Sequence, residues 1–218
     1  MKLYNFPQSP NAIKVWATIH HLGLEVEHVL VEAGSGAMRT EEYSALNPNQ
    51  TMPTLVDGDF TLWESNAIMQ YLAHKAGDTA LWPGDPRNQA DVSRWLCWQL
   101  ANWGQALRHF MFENLVKKML NLGPADPAKL AEGTELFHRY ASIMEAHLAG
   151  RPWLATDSLT LADYAVASPL CYASPAALPW DEYPNIQAWY GRIAKLPAWQ
   201  KALPAVARGG RPETSAHH

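Results

Sequence analysis

The stretch Asn47-Pro48-Asn49-Gln50-Thr51-Met52-Pro53-Thr54-Leu55-Val56-Asp57-Gly58-Asp59-Phe60-Thr61-Leu62-Trp63-Glu64-Ser65-Asn66 decides the fold. Residues 54–56 and 60–63 are short runs of β-branched, aliphatic and aromatic residues, and the Asp57-Gly58-Asp59 turn between them contains a glycine that accepts positive φ. The segment therefore predicts a β-hairpin. Pro53 stands at the first residue of that hairpin, where the lost N–H costs no ladder bond. An X-Pro bond there is a candidate for cis, although a trans proline at a strand edge is the commoner arrangement. A cis bond would turn the Met52 backbone groups out of the sheet ladder and open them to an extended peptide. Glu64-Ser65-Asn66 then opens a helix over residues 65–75, with Ile68, Tyr71 and Leu72 on its inner face. Such a triplet is commonly just a polar helix start. It also offers unpaired N–H groups to a carboxylate and an acidic side chain to an ammonium.

Working outward, residues 2–6 read as a strand and residues 11–22 as a helix with Ile13, Trp16, Ala17 and His20 at helical spacing, stopped by Gly23. Residues 26–32 read as a second strand with Val26, His28 and Leu30 on one face. A polar stretch follows, with a short helix near residues 40–45. The order βαβαββα implies a right-handed parallel pair extended by an antiparallel hairpin, a small α/β domain of thioredoxin-like type over residues 1–77. Gly77, Asp78, Pro83, Gly84, Asp85 and Pro86 mark a linker over residues 78–86. Beyond it no strand alternation is found. Helical repeats run over residues 87–120, 127–148, 160–172, 186–196 and 198–203, so residues 87–218 predict an all-helical domain. The fold class is α/β plus all-α.

Composition limits the function. Hydrophobic residues are 48% and charged residues 17%, enough apolar side chain for a substantial core and too little charge for a disordered chain. Lys plus Arg is 17 against 21 for Asp plus Glu, so no basic excess exists to neutralise nucleic-acid phosphates. Cys97 and Cys171 form no CxxC and join no Cys/His cluster, which predicts a reducing compartment and no metal. The N-terminus lacks a signal-peptide core, and the longest apolar stretch, residues 164–180, is broken by Pro169, Pro175 and Pro179. A cytoplasmic protein with no membrane partner is expected; His217-His218 reads as a tag remnant.

Ser9-Pro10-Asn11 joins the first strand to the first helix. Ser9 suits the N-cap, Pro10 suits N1 and Asn11 falls at N2, which by itself describes a well-started helix. The same tripeptide gathers a hydroxyl, an amide and the positive end of a helix dipole at the carboxyl end of a strand, an arrangement that favours an anion, including a thiolate. Leu159-Thr160-Leu161-Ala162-Asp163-Tyr164 is a capping box with a hydrophobic staple. It is read as structural, and Asp163 is not assigned to catalysis.

These pieces together resemble a cytosolic glutathione transferase along nearly the whole chain. The resemblance is carried by the early Ser9-Pro10-Asn11 turn, the Asn47-to-Leu55 string, Glu64-Ser65-Asn66-Ala67-Ile68-Met69-Gln70-Tyr71-Leu72-Ala73 and the Leu159-to-Tyr164 cap. It implies that Met52 bonds the cysteinyl backbone of glutathione with Pro53 cis, and that Glu64 and Ser65 hold the γ-glutamyl end. Thr51 stands where many relatives carry Lys or Gln, leaving Gln50 as a substitute contact to the glycyl end. The Ser-using theta- and delta-like classes and the Nu class match the chain at Ser9 and Asn11, which makes these the residues that activate the thiol. No cysteine lies near the first helix to form a mixed disulfide there, and Tyr4 competes less well for the thiol. The helical domain is expected to shape the second-substrate pocket. Trp95, Trp98, Asn102 and His109 fall near one stripe of its first long helix, a pattern more often core than pocket. The resemblance implies a homodimer that takes glutathione, without metal, and a small hydrophobic electrophile. Alternatives are glutathione-dependent disulfide reduction, as in the Nu class, dehalogenation, or a non-catalytic glutathione or ligand-binding module.

Overall fold

A computed structural model describes residues 1–32 and 34–204. The part of the expected helical domain beyond residue 204, including His217-His218, lies outside them. Two compact units are present, one of Met1–Asp78 together with residues 196–204, the other of Thr79–Lys195.

The first unit contains β1 (Lys2–Asn5), α1 (Pro10–Leu22), β2 (Glu27–Leu30), α2 (Glu41–Leu46), β3 (Thr54–Asp57), β4 (Phe60–Trp63) and α3 (Ser65–Lys75). The sheet order is β2-β1-β3-β4, with β1 parallel to β2, β3 antiparallel to β1, and β3–β4 the hairpin that the turn chemistry predicts. Pro10 starts α1, and Gly23 ends it at φ 64°, returning its N–H to the Ile19 carbonyl. Ala12, Ile13, Val15, Ala17 and Ile19 are buried along α1, more than one apolar stripe requires. The reason is that α1 packs on α3 and also on α10 (Pro197–Ala202), whose Trp199 is fully buried. Sequence periodicity groups residues 198–203 with the helical half, but their apolar face is spent on α1. β2 is shorter than residues 26–32 and forms the sheet edge, so its expected inward face stays open and Leu30 is 55% exposed.

The second unit is helical. Residues 87–120, read as one helix, form α4 (Pro86–Trp98), a π-helical turn (Gln99–Trp103), α5 (Gly104–Met111), a second π turn (Phe112–Val116) and the short α6 (Lys117–Met119). Each added residue rotates the downstream helix by about 100°, so a stripe counted at 3.6 residues per turn loses its phase. Trp98 accordingly stacks on Trp103 five positions later, ring centroids 5.8 Å apart. Gly104 makes the turn possible, because a Cβ there would stand 2.8 Å from the Gln99 carbonyl oxygen.

α7 (Pro127–Leu148) is capped by Asp126, and Gly133 on it faces His109, where a Cβ would come within 2.6 Å of the histidine Cβ. α8 (Leu161–Ala167) continues as a 3-10 turn over Ser168–Tyr172, and α9 (Pro184–Ala194) completes the unit. The Asp163 carboxylate is fully buried. It accepts from Thr160 N at 2.8 Å, Thr160 Oγ1 at 3.1 Å, Leu154 N at 3.0 Å and Trp189 Nε1 at 2.9 Å. The capping box thus ties α8, α9 and the preceding loop together. Asp163→Asn turns one acceptor into a donor facing donors, and is expected to lower the unfolding free energy by about 2 kcal/mol at an unchanged denaturant slope. A loss under about 0.5 kcal/mol in urea titrations would remove this carboxylate from the centre of the unit.

Candidate functional site

Register places the polar motifs at one end of the sheet. Tyr4 pairs with Thr54 and Thr54 with Trp63, so the carboxyl end of β1, the start of β3 and the end of β4 lie side by side. The chain segments that leave the sheet there are those carrying Ser9 and Asn11, Met52 and Pro53, and Glu64 and Ser65.

Ser9 has the extended backbone of an N-cap, and its carbonyl accepts from Ala12 N and Ile13 N at 2.9 and 3.0 Å. Its hydroxyl, however, makes no capping bond. The cap expected from a serine in this place is therefore absent, and the hydroxyl is not committed to the helix. Asn11, at N2 of α1, is exposed, and its Oδ1 accepts from Ser65 Oγ at 3.4 Å. That contact joins residues 54 positions apart and brings the first turns of α1 and α3 together. Both turns present N–H groups with no intrahelical partner, so positive partial charge accumulates where they meet.

The Met52–Pro53 peptide is cis. The β3 ladder begins only at Thr54, which leaves the Met52 backbone outside it. The loop before it is held by residues that sequence reading did not single out. The buried Asn47 side chain donates to the Thr51 carbonyl at 2.9 Å and to Thr54 Oγ1 at 3.1 Å, and its oxygen accepts from Asn49 N at 3.0 Å. The Tyr43 hydroxyl donates to the same Thr51 carbonyl at 2.6 Å. The Asn47-Pro48 pair was the available signal, since an asparagine before a proline commonly folds its side chain back on the following turn. Thr51 and Gln50 are exposed; Gln50 adopts φ 53° and donates to Ser44 Oγ at 3.1 Å. Tyr4 packs its ring edge-on to Tyr43, with centroids 6.0 Å apart.

Glu64 precedes α3 at φ 72° and ψ 107°, a backbone region that an L side chain adopts only when its surroundings enforce it. Its side chain caps nothing. Beneath it, Lys14 on α1 is completely buried and donates to Asn66 Oδ1 at 2.7 Å. Burial pulls the Lys14 ammonium down to about 7, against the attraction of Glu64. Lys14 was not selected from the sequence, and Asn66 appears there only within the Glu64-Ser65-Asn66 helix start.

The helical-unit candidates are put out of phase by the first π turn. Trp98 packs within an aromatic cluster of Trp95, Trp103 and Tyr140, Asn102 lies inside the first π turn, and His109 rests against Gly133 of α7. Trp95 is buried against His147, as the core reading of the stripe expects. Cys97 is exposed, while Cys171 donates to the Ser168 carbonyl and burial pushes its thiol up. Among the described residues no group of three or more His, Cys, Asp and Glu is placed to hold a metal ion.

A residue kept at positive φ by its surroundings gains from losing its Cβ. Glu64→Gly is expected to raise the unfolding free energy by about 1 kcal/mol, read by urea denaturation. A destabilised variant would mean that the Glu64 backbone is not under strain.

The family descriptions "Glutathione S-transferase, N-terminal domain" and "Glutathione S-transferase, C-terminal domain" match residues 1–74 and 117–197. Glutathione S-transferase 3 of Zea mays is 34% identical over 226 residues, covering 99% of each chain. The structure is similar to that of glutathione S-transferase I from Mais in complex with an atrazine glutathione conjugate, with TM-score 0.86, 29% identity and coverage of 98% and 99%. It is also similar to a theta class glutathione S-transferase from Xanthomonas axonopodis pv. citri with glutathione bound, with TM-score 0.84, 29% identity and coverage of 93% and 96%. With a sheet end, two apposed helix starts and a full-length match all agreeing, the chain belongs to the glutathione S-transferase family.

Proposed function

We propose that the protein binds glutathione at the sheet end of its first unit, holds the sulfur as a thiolate through Ser9 and Asn11, and transfers it to a small hydrophobic electrophile. The observation that carries this reading is the Ser9 hydroxyl, set at a helix N-cap and left out of the capping bond. The relatives crystallised with glutathione or its atrazine conjugate support the same chemistry.

Free thiols titrate near pH 8.5, so about 3% is thiolate at pH 7. A hydrogen bond to the charged sulfur together with the α1 dipole is worth about 2 pKa units. The thiolate fraction then reaches about 75%, roughly 25-fold more nucleophile. The proton leaves to water when the thiol binds, so no general base is needed. The sulfur lone pair forms a C–S bond at the electrophilic carbon, and a leaving group such as halide departs with the electrons of the bond it loses.

In this reading Met52 meets the backbone of the cysteinyl residue, Glu64 and Ser65 hold the γ-glutamyl ammonium and carboxylate, and Gln50 and Thr51 border the glycyl end. The N–H groups at the start of α3 suit a carboxylate. Glutathione is consumed as co-substrate, with no metal. The reading includes a cytoplasmic location; no helix among the described residues is long and apolar enough to cross a membrane.

Titration of bound glutathione by thiolate absorbance tests the assignment. Ser9→Ala or Asn11→Ala is expected to raise the thiol pKa by about one unit and to cut turnover of an aryl chloride at neutral pH by about tenfold. A shift below half a unit in both variants would refute it.

The reading also includes a homodimer. Phe60 and Trp63 of β4 are 45% and 41% exposed, apolar side chains that a second copy could cover. Light scattering after size exclusion is expected to give twice the chain mass, and Phe60→Ser with Trp63→Ser is expected to move it toward the single chain. A wild-type protein that elutes at the mass of one chain would end this part of the reading.

A further inference from the structure

Lys14 requires explanation because burying an ammonium is costly, and the bond it makes to Asn66 joins α1 to the first turn of α3. A hydrogen bond to the neutral Asn66 amide could be supplied by an uncharged donor without burying an ammonium. Burying the charge has a desolvation cost that this bond by itself offsets only in part. What the charge adds is position. Lys14 lies one helical turn after Asn11 on α1, and its partner Asn66 follows Glu64 and Ser65 directly in the first turn of α3.

We propose that Lys14 is a positioning residue for the glutamyl end of glutathione, fixing the first turn of α3 through Asn66 and supplying a buried positive charge that opposes the carboxylate of the bound ligand. This rests on the glutathione-binding reading above.

From α3, Glu64 faces Lys14 and favours its ammonium. On α1 the imidazole of His20 feels Lys201 of α10. The buried side chains of β1 are Leu3 and Asn5, which carry no charge. Above pH 7 the free protein thus holds Lys14 increasingly as the neutral amine. The unfolded chain, with its lysine near 10.4, binds the proton more strongly across the interval up to about pH 10, so Lys14 makes the native state more stable as pH rises there. Ligand binding has the opposite sign. A carboxylate arriving at α3 restores the ammonium, so binding takes up a proton and weakens as pH rises. Thiolate formation strengthens with pH, and the two dependences oppose each other.

S-methylglutathione separates them because it has no thiol to ionise. Calorimetric titrations at pH 8 in buffers of different ionisation enthalpy count the protons exchanged on binding. The wild type is expected to take up at least about half a proton more than Lys14→Met. Lys14→Met is expected to melt no lower than the wild type, because a buried charge is replaced by an apolar side chain of similar volume. It is also expected to bind S-methylglutathione about tenfold more weakly and to raise the KM for glutathione correspondingly, with a KM that no longer rises above pH 7. Lys14→Arg, permanently charged, is expected to recover affinity without proton uptake. Equal proton counts in the wild type and Lys14→Met, or unchanged affinity in Lys14→Met, would overturn the proposal while leaving glutathione binding intact. If the wild-type protein binds no S-methylglutathione, the glutathione reading falls and this one with it.

Discussion

Two helix N-termini and one buried ammonium are gathered at the end of a four-stranded sheet, and Glu64 is the acidic side chain that opposes them there. Helix dipoles aimed at a common point repel weakly, and a buried lysine adds to the same sign. The arrangement is held by packing: α1 is packed on α3 and α10, and its many buried positions leave it no freedom to rotate away. An electrostatic deficit of this kind is of little use to the free chain. It becomes favourable when an anion arrives, and a molecule carrying a carboxylate at one end and an ionisable sulfur near its middle supplies negative charge at two points.

Much of this is legible in the chain alone because the cues are local. The Asp57-Gly58-Asp59 turn sets the hairpin, Pro10 and Gly23 bound α1, and α3 and α7 occupy the residues that their patterns predict. The Thr160–Asp163 box forms with the short acidic side chain reaching back as expected. The rest depends on contacts that the chain makes over long separations. The interior of the π turn at Gln99–Trp103 contains no proline or glycine, and its one signal, Gly104, is also compatible with an ordinary helix. With that turn unrecognised, a stripe of Trp98, Asn102 and His109 looks continuous when it is not. β2 carries alternating residues suited to a buried face, but the sheet order puts it at the edge.

The candidate site divides along the same line. Ser9, Asn11, Glu64 and Ser65 are legible because each sits at a helix start with distinctive residue types. Their supports are not. Asn47 and Tyr43 converge on one carbonyl from another helix and its loop, and Lys14 meets Asn66 across 52 positions of sequence. Serine at an N-cap also suggests an occupied hydroxyl, whereas α1 is started adequately by Pro10 and by the Ser9 carbonyl. The side chain that local rules would have spent on the helix is the one that the helix leaves uncommitted.

The return of α10 to α1 makes the first unit discontinuous along the chain: its opening helix is finished by residues that emerge nearly two hundred positions later. During synthesis the nascent sheet must therefore wait with one flank of α1 uncovered until residues 197–202 have emerged from the ribosome. A stop codon or a proteolytic nick just before Leu196 would leave every candidate site residue in place and still expose apolar surface on the helix that begins with Ser9 and Asn11. Truncated products of this gene are accordingly clients for chaperones and proteases rather than miniature binding domains.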